Sequence, residues 1–302
     1  MARGARGVYL ECVSPRLLAL LIAGAALSAG CGQAAVKSSS QAKPKPSQNQ
    51  GLIAESAAAT ADAGTARAAY TMKMTGIAGA SGGVTATGTG AVDFASRSTE
   101  LQLHMTVPQA GMTVDMSERM VGTTLYMHSP LLSGTTGKPW IKLDLQKLGK
   151  SEGLDMNSAM STGGSDPTQM LSYLNAASDS IDRIGTQVVR GTQTTHYHVV
   201  VDLLKIANTV PAAKQAAVRR TFRHEVELVG THTIPIDVWI DSQGLVRREH
   251  FDISMHPATV TVPVEMEMTI DFFDFGAPVH VVPPPARMVA DLADLVPPGP
   301  SA

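Results

Sequence analysis

The sequence predicts an α+β fold dominated by one long antiparallel sheet, and three observations carry that reading. Apolar and polar residues alternate with period two through Tyr70–Leu145 and again through Ser180–Phe275. Glycine-bearing turn segments separate the alternating runs, and only a few stretches follow helical spacing. Clean alternation places one face of a sheet in an apolar environment and leaves the other wetted, the habit of antiparallel sheets.

The chain opens with Arg3, Arg6 and Arg16, followed by the apolar run Leu17–Leu27 and the small residues Ser28, Ala29 and Gly30. A basic region and a short apolar core form an export signal, here residues 1–30. The core falls short of the roughly 20 apolar residues that span a bilayer. Ending in Cys31, the segment resembles the lipobox of bacterial lipoproteins. The resemblance implies that Cys31 is lipidated and begins the processed chain, anchored to the extracytoplasmic face of the cell membrane. Leu27 stands one place earlier than the usual pattern, with Ser28 in its slot. The alternative is ordinary secretory cleavage after Ala29 or Gly30. Glu11 in the basic region suggests a later translation start, at Val8 or Val13.

Residues 31–51 read as a tether, because Gly32–Gln50 has almost no large apolar residue and carries prolines among lysines and serines. The folded domain then covers 52–276. Ala-rich Leu52–Ala69 predicts a helix that Gly64 interrupts. Ala69–Gly79 and Val84–Ala95 form a hairpin across Ala80–Gly83. Thr99–Val107 puts Leu101, Leu103, Met105 and Val107 on one face, and Met112–Val121 does the same with Met112, Val114 and Met116. Thr123–His128 and Trp140–Leu145 continue the sheet. Gly149–Gly164 is a Gly/Ser/Met-rich loop. Asp166-Pro167 supplies an N-cap and a first-turn proline for a helix to Ala177, with Met170, Leu171, Leu174 and Ala177 on one side. Ser180–Arg190 and Thr194–Leu203 are strands, and Leu204–Asn208 with Pro211–Phe222 is a helical crossover. Ile234–Asp241 and Leu245–Met255 form a hairpin around Ser242-Gln243-Gly244. Thr259–Phe275 is the longest strand. It carries Val260, Val262, Val264, Met266, Met268, Ile270 and Phe272 on one side and Glu265, Glu267 and Asp271 on the other. Residues 277–302 are Pro-rich and predicted to be a loose tail.

Three of the 24 basic and one of the 26 acidic side chains precede Cys31, so the processed chain carries 21 basic and 25 acidic groups. That balance argues against binding nucleic acid. Both cysteines, Cys12 and Cys31, lie at or before the processing point, which leaves no disulfide for the domain. His196 and His198 flank Tyr197 in a strand and share a face, as two metal ligands would, yet no third ligand stands near them. Glu249 with His250, and His224 with Glu225, point to opposite faces of a strand and gain nothing catalytic from adjacency. No G-x-S-x-G, H-E-x-x-H or P-loop pattern occurs. Gly88 and Gly90 lack the helix that a nucleotide-binding loop needs, and strand bending is their expected role. We therefore assign no catalytic residue, metal or cofactor.

The informative composition is 15 Met against 4% aromatics. Met is flexible and polarizable, suited either to filling core gaps or to lining a surface that adapts to varied apolar ligands. The segments TGTGAVDFASRSTELQLHM (Thr87–Met105), LYMHSPLL (Leu125–Leu132), GKPWIKLDL (Gly137–Leu145), DPTQMLSYL (Asp166–Leu174) and IPIDVWIDSQGLVRREHFDI (Ile234–Ile253) resemble actinobacterial LppX/LprG-type lipoproteins and their LolA-like relatives. The resemblance implies a strongly curved antiparallel sheet, an incomplete barrel, with helices covering its concave face. It also implies a space between them for acyl chains and a non-enzymatic role in binding or carrying lipid. The expected lining is Leu101, Leu103, Met105, Val107, Met112, Val114, Met116, Val262, Val264, Met266, Met268 and Ile270 from the strands. Met170, Leu171 and Leu174 come from the covering helix. The competing reading is a structural lipoprotein with a filled core that binds an envelope protein, whose identity the residues do not name.

Overall fold

The fold is that of a computed structural model. It describes residues 48–77, 82–147, 178–206, 230–256 and 262–292, with residues 212, 215, 216, 219, 223 and 226 between them. Cys31 and the predicted helix with Met170, Leu171 and Leu174 lie outside the described residues, as does Val260.

Twelve strands form one sheet: β1 (Thr65–Thr75), β2 (Val84–Asp93), β3 (Ser98–Val107), β4 (Met112–Val121), β5 (Thr124–His128), β6 (Trp140–Asp144), β7 (Ser178–Val189), β8 (Thr192–Asp202), β9 (Thr233–Asp241), β10 (Val246–Met255), β11 (Val264–Phe273) and β12 (Val289–Asp291). Their order is β12-β6-β5-β4-β3-β2-β1-β11-β10-β9-β8-β7. Every neighbouring pair is antiparallel except β12 with β6. Two meanders thus meet where β1 pairs with β11, which stitches the N-terminal and C-terminal halves together. This is the antiparallel sheet that the alternation predicts, large, open and curved as the resemblance implies. Helices are few. The helices are α1 (Gln48–Asp62), α2 (Pro130–Thr136) and α3 (Leu203–Ile206), and Ala212, Gln215, Ala216, Arg219, Arg223 and Val226 are also helical.

α1 packs on the apolar face through buried Ile53, Ser56 and Thr60. Thr60 Oγ1 donates to the Ser56 carbonyl (2.7 Å) and accepts from the Val246 backbone N–H (2.9 Å), so one hydroxyl joins the helix to β10. The helix ends at Asp62, before Gly64, and Ala66–Ala69 belong to β1 rather than to the predicted helix. Ala66 and Ala68 are fully buried there, in the same core cluster as Ile53 of α1.

Three further expectations need correction. The strand expected to be longest begins at Val264 and has 10 residues against the 12 of β7, and Val262 stands outside it, 56% exposed. Pro263 lacks the N–H that a central ladder requires. Asp271, on the side expected to be wetted, is buried beneath two arginines. The Pro-rich segment is not loose throughout: it crosses the polar face and adds β12 to the sheet edge. Thr65 Oγ1 donates to the Ala277 carbonyl (2.6 Å), Arg119 to Val282 (3.3 Å) and Lys138 to Arg287 (2.5 Å). The Lys142–Asp291 ion pair (3.1 Å) closes the run. Backbone pairing and these side-chain donors compensate for a segment that buries little apolar surface of its own.

The Gly244 turn forms as predicted. Asp241 accepts from the backbone N–H groups of Gln243 (2.8 Å) and Leu245 (3.0 Å), and its other oxygen accepts from Arg247 (2.6 Å). Gly244 adopts φ +80°, which side-chain-bearing residues rarely reach.

Candidate functional site

The register carries one apolar face across the sheet. Tyr70, Met72 and Met74 of β1 lie opposite Ile270, Met268 and Met266 of β11. These in turn oppose Glu249, Phe251 and Ile253 of β10, and Val238 of β9 and Tyr197 of β8 extend the Glu249 rung. On the other flank, Gly88 and Gly90 oppose Leu103 and Leu101, which oppose Met116 and Glu118. Three buried clusters form along this face. The largest packs Ile53 of α1 against Ala66, Ala68, Val92, Phe251, Ile270 and Phe272, among others. The second joins Met120, Leu125, Met127 and Leu145. The third is methionine-rich, with Met74, Met255 and Val264 buried and Met72 and Met266 packed against them.

The expected lining residues separate by depth. Leu101, Val264 and Ile270 are buried, while Leu103, Met105, Val107, Val114, Met116, Met266 and Met268 are half-buried. Met112, at the start of β4, is 41% exposed. The β3–β4 end of the face therefore presents apolar side chains that are only partly covered.

Polar residues interrupt this face, Tyr70, Glu118 and Glu249 among them. Burial pushes the Glu249 carboxyl up to about 7 and raises Glu118 as well. Some surface of Glu249 stays accessible, but protein atoms enclose it closely enough to disfavour its charge. Burial raises the Tyr70 phenol too, and the charges of Glu249 and Glu118 add to that shift. Its ring lies over Gly90, where a Cβ would stand 3.1 Å from the ring and 2.5 Å from the Glu100 carbonyl oxygen. Clearance is thus what Gly90 supplies, beyond the bending expected of it. Sequence reasoning missed these three as a group, although parity reveals them. Glu118 shares its parity with Met116 and Met120, Glu249 with Phe251 and Ile253, and Tyr70 with Met72 and Met74.

The opposite face is a polar ladder. His104 meets Asp115 (2.7 Å), Ser117 donates to Gln102 (2.6 Å), and Arg119 pairs with Glu100 (3.2 Å). Arg248 grips Asp271 with two bonds (2.6 and 3.0 Å). His196 and His198 share that face, both on Asp237 Oδ1 (2.7 and 3.1 Å), and the His196 ring stacks on Trp239 at 4.2 Å. Among the described residues no group of three or more His, Cys, Asp or Glu could hold a metal ion. A cleft of about 360 Å³ lies under Pro278–Val281, between that segment and β1–β3. It is separate from the expected lining. None of the described helices is long and apolar enough to cross a membrane.

No protein-family model matches the chain. Lipoproteins and a LolA-superfamily protein are among the structural neighbours of this chain. Lipoprotein LppX of Mycobacterium tuberculosis aligns at a TM-score of 0.41 and 15% identity, over 76% of this chain and 98% of that one. LprF of Mycobacterium bovis aligns at 0.42 and 13%, over 80% and 99%. A LolA-superfamily protein of Nitrosomonas europaea aligns at 0.26 and 9%, over 76% and 93%. In sequence, an uncharacterized 31.2 kDa protein of Streptomyces griseus from the rplA–rplJ intergenic region is 28% identical over 175 residues, 56% of this chain. The chain spans about half the length of that curated relative.

Proposed function

We propose that this protein is a non-enzymatic envelope lipoprotein, tethered to the cell membrane through lipidated Cys31, that binds or carries a lipid on the apolar face of its sheet. The observation that carries the reading is the incomplete covering of that face. Leu103, Met105, Val107, Val114 and Met116 are half-buried and Met112 is 41% exposed, on strands whose other face carries the His104–Asp115, Ser117–Gln102 and Arg119–Glu100 pairs. Contiguous apolar surface left open on a soluble fold marks a ligand or partner site. Methionine, which repacks around differently shaped partners, is concentrated beside it. The helix with Met170, Leu171 and Leu174 is the proposed cover. Native mass spectrometry of the gently extracted protein tests the reading. A retained lipid mass, lost on delipidation and regained on adding lipid, is expected. Protein that is always bare, and that takes up no added lipid, would instead favour a filled core and a protein partner.

A further inference from the structure

The two ends of the sheet differ in chemistry. Antiparallel pairing brings the β1–β2, β3–β4 and β10–β11 connections to one rim. Met74 opposes both Val84 and Met266, Ala86 opposes Met105, Val107 opposes Met112, and Met255 opposes Val264. Positions 76–83, 108–111 and 256–263 hold no Asp, Glu, Lys or Arg, whereas connections at the far end carry Arg97, Arg190 and Asp274. The rim connections touch one another. A Cβ at Gly82 would stand 3.2 Å from the Gln109 side chain, and one at Gly76 would overlap the Pro263 carbonyl. Met112 and Val262 are exposed on this rim, and Ile77 and Val107 are half-buried. Directly beneath lies the methionine-rich cluster of Met74, Met255 and Val264, against which Ile77 packs. Rim and apolar face are therefore continuous. Close beyond the connections, Asp115 and Glu265 belong to the polar face, where His104 and Ser254 engage them. Farther along the same end β8 finishes at Asp202, three strands from β11 and paired with His232 (3.5 Å).

We propose that this rim docks into the headgroup and acyl boundary of the membrane that holds the Cys31 anchor, and that lipid passes there onto the apolar face. This rests on the tethered, lipid-binding reading above and adds the point of contact. Two observations select a bilayer as the occupant. The first is where the chain joins the domain. The C-terminal end of α1 sits at the far end of the sheet, where Phe94 N–H donates to the Gly64 carbonyl (2.9 Å) and Ala59 lies against Gly244. Gln48, at the other end of α1, is therefore nearer the rim than Asp62 is. As a flexible chain the stretch from Cys31 to Gln48 spans roughly 20–25 Å, which keeps the rim within reach of the surface at an effective concentration on the order of mM. Weak docking then suffices. The second is composition. The three connections hold no charge for a bilayer boundary to penalise, and none of the Trp, Tyr and Arg that anchor protein interfaces.

The test uses the processed, lipidated protein in phosphatidylcholine vesicles, with and without bromine on the acyl chains. Met112→Trp, Val262→Trp and, at the far end, Ser96→Trp each add one indole to the native Trp140 and Trp239. All three positions are exposed, and thermal melting checks that each variant folds. Insertion by about 5–10 Å is expected to quench the added emission at 112 and 262 roughly twofold or more in brominated vesicles, leaving that at 96 unquenched. Emission unquenched at both 112 and 262, in protein that stays with the vesicles, overturns the docking proposal alone. Equal quenching at 96 does the same. So does a blue shift that ignores bromine and grows with protein density, which assigns the rim to a second copy of the chain. Quenching needs no lipid on the apolar face, so this result is independent of whether a ligand is carried there. If the wild type does not stay with the vesicles, the tether reading falls and takes the docking with it.

Discussion

Glu249→Gln is the substitution whose outcome the structure constrains most tightly. It removes a charge and keeps the shape of the side chain. In the folded protein burial lifts the Glu249 carboxyl from the ordinary 4.5 to about 7, whereas in the unfolded chain it returns to the ordinary value. Between those two pH values the folded state holds a proton that the unfolded state has released. Wild-type stability therefore includes a contribution that is complete below the unfolded value, declines as pH rises, and is gone above about 7. At about 1.36 kcal/mol per pH unit the difference corresponds to a ceiling of about 3 kcal/mol. Water reaching the half-buried side chain reduces the expected effect to about 1–3 kcal/mol. Gln does not titrate, so the variant escapes this loss. At pH 8 it is expected to melt higher than wild type by roughly 2–12 °C, taking about 2–4 °C per kcal/mol for a domain of this size. At pH 4 the two should melt nearly together, since the wild-type group is then neutral in both states. Thermal melts of both proteins across pH 4–8 cancel every other titrating group in the difference. Parallel curves, or a variant less stable at pH 8, would refute the argument, the latter by showing that the carboxylate satisfies an enclosed donor.

Cys31→Ser is expected to yield protein that is soluble or held as precursor, measured by membrane fractionation and intact mass; wild-type processing and membrane association would rule out the anchor. Met266→Trp and Met268→Trp test the space beside their face. With open volume there, lipid uptake falls while melting changes little. With a filled core, overpacking costs about 1–3 kcal/mol and no lipid is bound by the wild type. Replacing His196 and His198 together by Ala is expected to leave metal content and ligand binding unchanged, because both rings serve Asp237 on the face opposite the apolar one. Metal that co-purifies with wild type and vanishes from the double variant would overturn that assignment.

Period-two alternation determined the strands by itself, because side chains on a pleated chain must point alternately to the two faces. The Leu101–Val107 and Met112–Met116 runs, the Gly244 hairpin and the apolar side of β11 could all be read without a structure. What alternation cannot determine is which strands become neighbours. The pairing of β1 with β11, far apart in sequence, put Met72 beside Met268, and only the closed register could do so. Pairing also turned a Pro-rich segment into an edge strand, since β12 is held by β6 and by Lys142 rather than by any pattern of its own. Asp271 shows the same limit: its side of the strand was legible, but its burial depends on Arg248, arriving from a different strand. Tyr70, Glu118 and Glu249 draw on both sources. Parity along each strand determined that Tyr70, Glu118 and Glu249 face inward. The approach of the Tyr70 ring to Gly90 of β2 was decided by tertiary structure, because contact between neighbouring strands is a property of the assembled sheet.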